Sequence, residues 1–137
     1  MKRFLFLFVI FISSCSKSPE TFIEHLNGYW EIEQVTLANG TKHDYNFNAT
    51  VDYFTISDSL TGFRKKLKPN LLGTYETSKD FETIRLKIED GKLNIYYKTL
   101  FDAWKETVLF ANSDQLKIVN QNKDVYLYKR FKPIKIE

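Results

Sequence analysis

From Tyr29 to Phe131 the chain is built of short aromatic and β-branched runs with a period of two, broken about every 8 to 12 residues by turn-forming residues. Strands are expected near 29–37, 50–57, 61–67, 73–78, 82–89, 92–100, 103–110, 115–120 and 124–131. Asp90-Gly91 is the best-marked hairpin, because these residues supply the two positive-φ positions of a type I′ turn. Asn39-Gly40 gives a second such signal, and Asn112-Ser113-Asp114 and Asn120-Gln121-Asn122-Lys123 mark further turns. Nothing after Gly28 has the length and period of a helical crossover, which points away from parallel βαβ units and toward an antiparallel meander. Ile84, Leu86 and Ile88 alternate with Arg85, Lys87 and Glu89, so one face of that strand meets a core and the other meets water. With 12 Phe and 8 Tyr, the chain has the residues for an all-β fold, and eight or nine strands suffice to close a barrel.

Before the strands, Ser18, Pro19 and Glu20 read as an N-cap, a first-turn proline and a first-turn acid. Phe22, Ile23 and Leu26 follow at helical spacing, and Gly28 stands where a C′ glycine ends a helix. A helix of two or three turns is expected.

Lys2 and Arg3 precede an apolar run from Phe4 to Ile12, followed by Ser13, Ser14 and Cys15, the three regions of a secretory signal. The run is too short to span a bilayer as a helix. Ile12-Ser13-Ser14-Cys15 resembles a bacterial lipobox, which implies a signal peptide over 1–14 and lipidation of Cys15; the other reading is a short membrane anchor with an incidental cysteine. Residues 15–20 then form the lipidated Cys and its tether, 21–132 a single barrel domain and 133–137 a tail. Removing Lys2 and Arg3 lowers the net charge from +3 to +1, which leaves nucleic-acid binding unsupported. Cys15 is the only cysteine, so the exported domain forms no internal disulfide. By resemblance to lipoprotein sorting, Ser16 is compatible with the outer membrane. Residues 16–20 lack the paired acids of surface export, which favours the periplasmic face.

Gly28-Tyr29-Trp30, a G-x-W tripeptide after a short helix and at the head of the first strand, resembles the lipocalin-like superfamily, closest to the small lipocalin-like lipoproteins of Bacteroidetes-type bacteria. The segments Gly62-Phe63-Arg64-Lys65-Lys66, Gly73-Thr74-Tyr75-Glu76 and Trp104-Lys105-Glu106 share this likeness. The resemblance implies a lipocalin-like antiparallel up-and-down β-barrel of 8–10 strands with a short N-terminal helix. It also implies that Gly28 and Trp30 lie at the closed base, with Arg130 packed across the Trp. Relative to secreted lipocalins the chain is shorter, lacks their disulfide and shows no clear C-terminal helix.

Catalytic chemistry has no residue set. G-x-S-x-G, P-loop and G-x-G-x-x-G motifs are missing, and His25 and His43, the only histidines, have no partner at metal-ligand spacing. No enzyme activity, metal or cofactor is therefore expected; haem ligation by either histidine is an outside alternative. Glu106 shares a strand face with Trp104, Val108 and Phe110. Three readings are open for it: a polar anchor in a ligand cavity, a buried ion pair with Arg64, Arg85 or Arg130, or a strand whose other face is inward. Tyr126, Tyr128 and Arg130 share a face of the last strand and suit either a ligand carboxylate, as in fatty-acid-binding relatives, or stacking of Arg130 on Trp30. Arg64-Lys65-Lys66-Leu67-Lys68 puts charge on both faces of its strand, as a solvated edge or a contact to anionic headgroups. The expected ligand-lining positions are Ile84, Leu86, Leu93, Ile95, Tyr97, Trp104, Glu106, Val108, Phe110, Tyr126 and Tyr128. The functional expectation is a membrane-anchored envelope lipoprotein whose barrel binds a small apolar or amphipathic molecule. The alternative is an interaction or inhibitor protein with a filled barrel acting on an envelope partner protein.

Overall fold

Period-two runs that follow one another through short turns pair with their sequence neighbours, and here they pair until the last strand meets the first. The computed structural model describes residues 18–70 and 75–132; the expected signal peptide 1–14, Cys15 with the start of the expected tether, Gly73-Thr74 and the expected tail 133–137 lie outside them. The elements are α1 Glu20–Leu26, β1 Gly28–Thr36, β2 Lys42–Asp44, β3 Val51–Ile56, β4 Thr61–Pro69, β5 Tyr75–Glu89, β6 Lys92–Lys98, β7 Ala103–Ala111, β8 Gln115–Val119 and β9 Val125–Arg130. Strands β3 to β9 pair antiparallel in sequence order, and β9 returns to β1 along Trp30↔Arg130 to Thr36↔Val125. The lower part of β1 pairs with β3 and its upper part with β2, so the barrel closes with eight staves and β2 forms a flap.

Four local expectations need correction. The runs at 73–78 and 82–89 are one strand, β5, because the break between them is a bulge: Lys65 faces Phe81 while Leu67 faces Thr77. Strand β2 was not expected, since Lys-His-Asp is polar and exposed on both faces and has no hydrophobic period. Asp90 (φ 50°) and Gly91 (φ 73°) fit the I′ turn, but of Asn39-Gly40 only Gly40 takes positive φ. There Gly40 N–H donates to Leu37 O and Leu37 N–H to Thr41 O, a type I turn with a left-handed fourth residue. The 57–61 and 120–124 turns repeat this bonding, with Leu60 and Lys123 in the left-handed position. At the helix start Ser18 acts through its backbone instead of its side chain: its carbonyl accepts from Thr21 N–H (3.0 Å) and Thr21 Oγ1 (2.7 Å).

The base explains the G-x-W tripeptide physically. Helix α1 buries Phe22 and Leu26 against the barrel end, with Phe22 edge-on to Phe110 at 6.0 Å. A helix this short leaves its last carbonyls unbonded, and two strand residues supply the donors. Trp30 Nε1 donates to Leu26 O (2.9 Å), while the Arg130 guanidinium donates to His25 O (2.8 Å), Asn27 O (2.8 Å) and Ser113 O (3.0 Å). That guanidinium lies 3.7 Å from the centre of the Trp30 ring, and Trp30 is fully buried. Gly28 adopts φ +118°, and a Cβ there would stand 2.7 Å from Arg130 Nη1, so a side chain at 28 would displace the arginine.

Candidate ligand site in the barrel interior

Alternation on the inner faces stacks the interior in layers. Above Trp30, the buried Phe54, Leu86, Leu93, Ile95, Val108, Leu116 and Ile118 form an apolar layer. Directly across from members of this layer the same inner faces carry charge: Phe54 is paired with Arg64, Arg64 with Glu82, Ile95 with Glu106, and Trp30 with Asp52.

Arg64 is the hub. Its Nε and Nη2 each donate to one oxygen of Glu82 at 3.2 Å, and Nη1 lies 3.6 Å from Glu106 Oε1. The guanidinium also sits 4.3 Å from the Tyr97 ring centre, and Trp104 stacks on Tyr97 at 5.2 Å. Burial opposes the Arg64 charge, but Tyr97, Glu82 and Asp52 outweigh it and hold the guanidinium well above its usual range. The same burial pushes the Tyr97 and Tyr128 phenols up. Glu106 is also raised: burial disfavours its charge more than Arg64 and Tyr97 restore it.

A carboxyl with a raised folded-state pKa keeps its proton where the unfolded chain has lost it. Its contribution therefore favours folding at low pH and is lost as pH climbs from 4.5 through the raised value. Relative to Glu106→Gln, the wild type is expected to lose stability over that window. Urea unfolding of both proteins at pH 4.5 and at mildly alkaline pH checks this, and a pH-independent difference would contradict it.

Beside the charged layer, toward the open end, lies a cavity of about 210 Å³. Its walls are Trp30, Ile32 and Val35 from β1, Tyr126 and Tyr128 from β9, Asp52 and Lys66, and Tyr45, Asn48 and Thr50 from the connection between β2 and β3. Asn48 Nδ2 donates to Ile32 O (2.8 Å) and fastens this connection to the barrel. Asp52 is buried, with Lys66 Nζ 3.5 Å from Oδ1 at the rim.

Of the positions expected to line a ligand, Tyr126 and Tyr128 do so here. Ile84, Leu86, Leu93, Ile95, Tyr97 and Val108 face inward as core residues, and Trp104 packs against them. Phe110 follows a register shift after Val108 and turns to Phe22 at the base. Ile88, grouped with Ile84 and Leu86 by alternation, is 38 % exposed. Arg85 is exposed and Arg130 is occupied at the base, so of the three candidate partners Glu106 is met by Arg64. The carboxylate-binding reading of Tyr126, Tyr128 and Arg130 is corrected accordingly: Arg130 lies opposite Trp30, and its donors go to base carbonyls.

The basic run on β4 divides. Arg64 and Lys66 serve the interior, while Lys65 lies over the outer rings of Phe63 (5.0 Å) and Phe81 (5.6 Å). Among the described residues no cluster of His, Cys, Asp and Glu is arranged to hold a metal; His25 pairs with Glu24, and His43 is exposed. Sequence reasoning missed Asp52 and Glu82. Their signal was the alternation that puts Asp52 on the Phe54 face and Glu82 on the Ile84 face.

A family model described as a lipocalin-like domain matches residues 26–118. In solved structures, a lipocalin-like protein from Bacteroides uniformis superposes with a TM-score of 0.51 at 12% identity, covering 78% of this chain and 99% of the other. An uncharacterized protein from Bacteroides eggerthii superposes with a TM-score of 0.50 at 11% identity, covering 77% and 99%. A comparison with curated protein sequences gives no match.

Proposed function

The chain belongs to the family of lipocalin-like domains, and from that premise we propose that it is a non-catalytic binding protein holding a small apolar or amphipathic molecule inside its barrel. The observation that carries this reading is the 210 Å³ cavity, whose aromatic walls meet a few polar groups, the mix that small-molecule sites use. A ligand that binds only the folded state stabilises it by mass action, about 2.7 kcal/mol at a hundredfold excess over Kd. Titration with small amphiphiles is expected to raise the melting temperature and to change the emission of Trp30, which lies in the cavity wall. A broad panel that gives neither response contradicts the reading.

The same proposal places the protein on an envelope membrane, at the periplasmic face of the outer membrane, through lipidated Cys15. The support is the sequence Ile12-Ser13-Ser14-Cys15 after its apolar run. Two or more acyl chains, at about 0.8 kcal/mol per buried CH₂, hold a protein to a bilayer stably. Cys15→Ser is expected to release the protein from the membrane fraction or to leave the precursor uncleaved. A Cys15→Ser protein that is processed and still takes up a fatty-acid probe would contradict this.

One observation favours a second reading, an interaction or inhibitor protein that docks on an envelope partner. Phe47 on the β2–β3 connection and Leu100 and Phe101 on the β6–β7 connection are 86 %, 95 % and 96 % exposed. Phe47→Ser with Phe101→Ser would abolish such docking while leaving the cavity walls in place.

A further inference from the structure

We infer that the cavity is selective for a small organic ammonium ion, with Asp52 as the counter-charge and the aromatic walls as the cation's bed. The inference rests on reading the cavity as a ligand site.

The interior layer and the cavity floor hold three carboxylates, Asp52, Glu82 and Glu106, against Arg64 and Lys66. Glu82 and Glu106 together occupy Arg64, and Lys66, with its side chain 61 % exposed, is the only salt-bridge partner of Asp52 among the described residues. A surplus negative charge away from water is costly unless a proton or a cation balances it.

The walls are a second observation: Trp30, Tyr45, Tyr126 and Tyr128 line the space that Asp52 borders. Aromatic faces carry negative charge density and attract ammonium groups, most strongly where water is scarce. An anionic ligand finds the opposite environment: Arg64 and Arg130 are engaged, which leaves Lys66 alone to receive a carboxylate.

The test uses the full-length chain and three matched probes, 2-phenylethylamine, 2-phenylethanol and 3-phenylpropionate, followed by calorimetry and thermal unfolding. The amine is expected to bind and to raise the melting temperature, and the alcohol and the acid to bind at least tenfold more weakly. Asp52→Asn should weaken the amine about tenfold or more. Lys66→Met, which removes the competing cation and keeps the fold, should strengthen it severalfold. Equal or tighter binding of the acid or the alcohol overturns the inference, as does amine affinity unchanged in Asp52→Asn. If none of the three binds while the protein carries another small molecule from its host, the inference falls and the proposed binding function stands. If nothing binds at all, both fall.

Discussion

Arg64→Met is expected to cost the barrel about 3–5 kcal/mol, because it leaves Glu82 and Glu106 inside with no cation between them. The side chains of Arg64, Glu82 and Glu106 are 11 %, 18 % and 12 % exposed, too little for water to take over the role of the guanidinium. The loss is expected to be non-additive. Arg64→Met combined with Glu82→Gln and Glu106→Gln removes the uncompensated charges and should be more stable than Arg64→Met alone. Equilibrium urea unfolding of the single and triple variants measures this. A triple variant less stable than the single one would mean that packing, not charge, ties Arg64 to the barrel.

Trp30→Ala is expected to be comparably severe, about 3–5 kcal/mol, as for other large aromatic truncations in cores. The indole fills the base, bonds the Leu26 carbonyl and carries the Arg130 guanidinium at 3.7 Å, so its removal opens a cavity and strips α1 of a terminal donor. Trp30→Phe separates these roles. It keeps most of the volume and loses the bond to Leu26 O, for a cost on the order of 1–3 kcal/mol. Thermal unfolding that places Trp30→Ala within a few tenths of a kcal/mol of wild type would contradict the role given to the base.

The strand order was legible because it rests on local rules, whereas the base was legible only through the family resemblance. Alternation in Ile84-Arg85-Leu86-Lys87 names an inner face, and Asp90-Gly91 names a turn. Gly28, Trp30 and Arg130 are tied together by register, since Trp30 and Arg130 are direct partners in the closing β1–β9 ladder. The site was less legible, for two physical reasons. Asp52, Glu82 and Glu106 lie on three different strands, and the feature that joins them, Arg64 reaching two acids, depends on barrel closure and shear. Tyr45, Asn48 and Thr50 belong to a connection with no hydrophobic period, so only the fold carries them over the cavity. The bulges after Lys65 and Val108 had the same effect on a smaller scale, fusing two expected strands and turning Phe110 to the helix.

The central claim is that the interior above Trp30 holds a small molecule. Native mass spectrometry of the protein purified gently from its own host tests it most directly. The account predicts a population carrying a small molecule bound one to one, lost on unfolding and displaced by an added amine that competes for Asp52. A protein that carries no such mass, and that binds nothing from a host small-molecule extract, would contradict it.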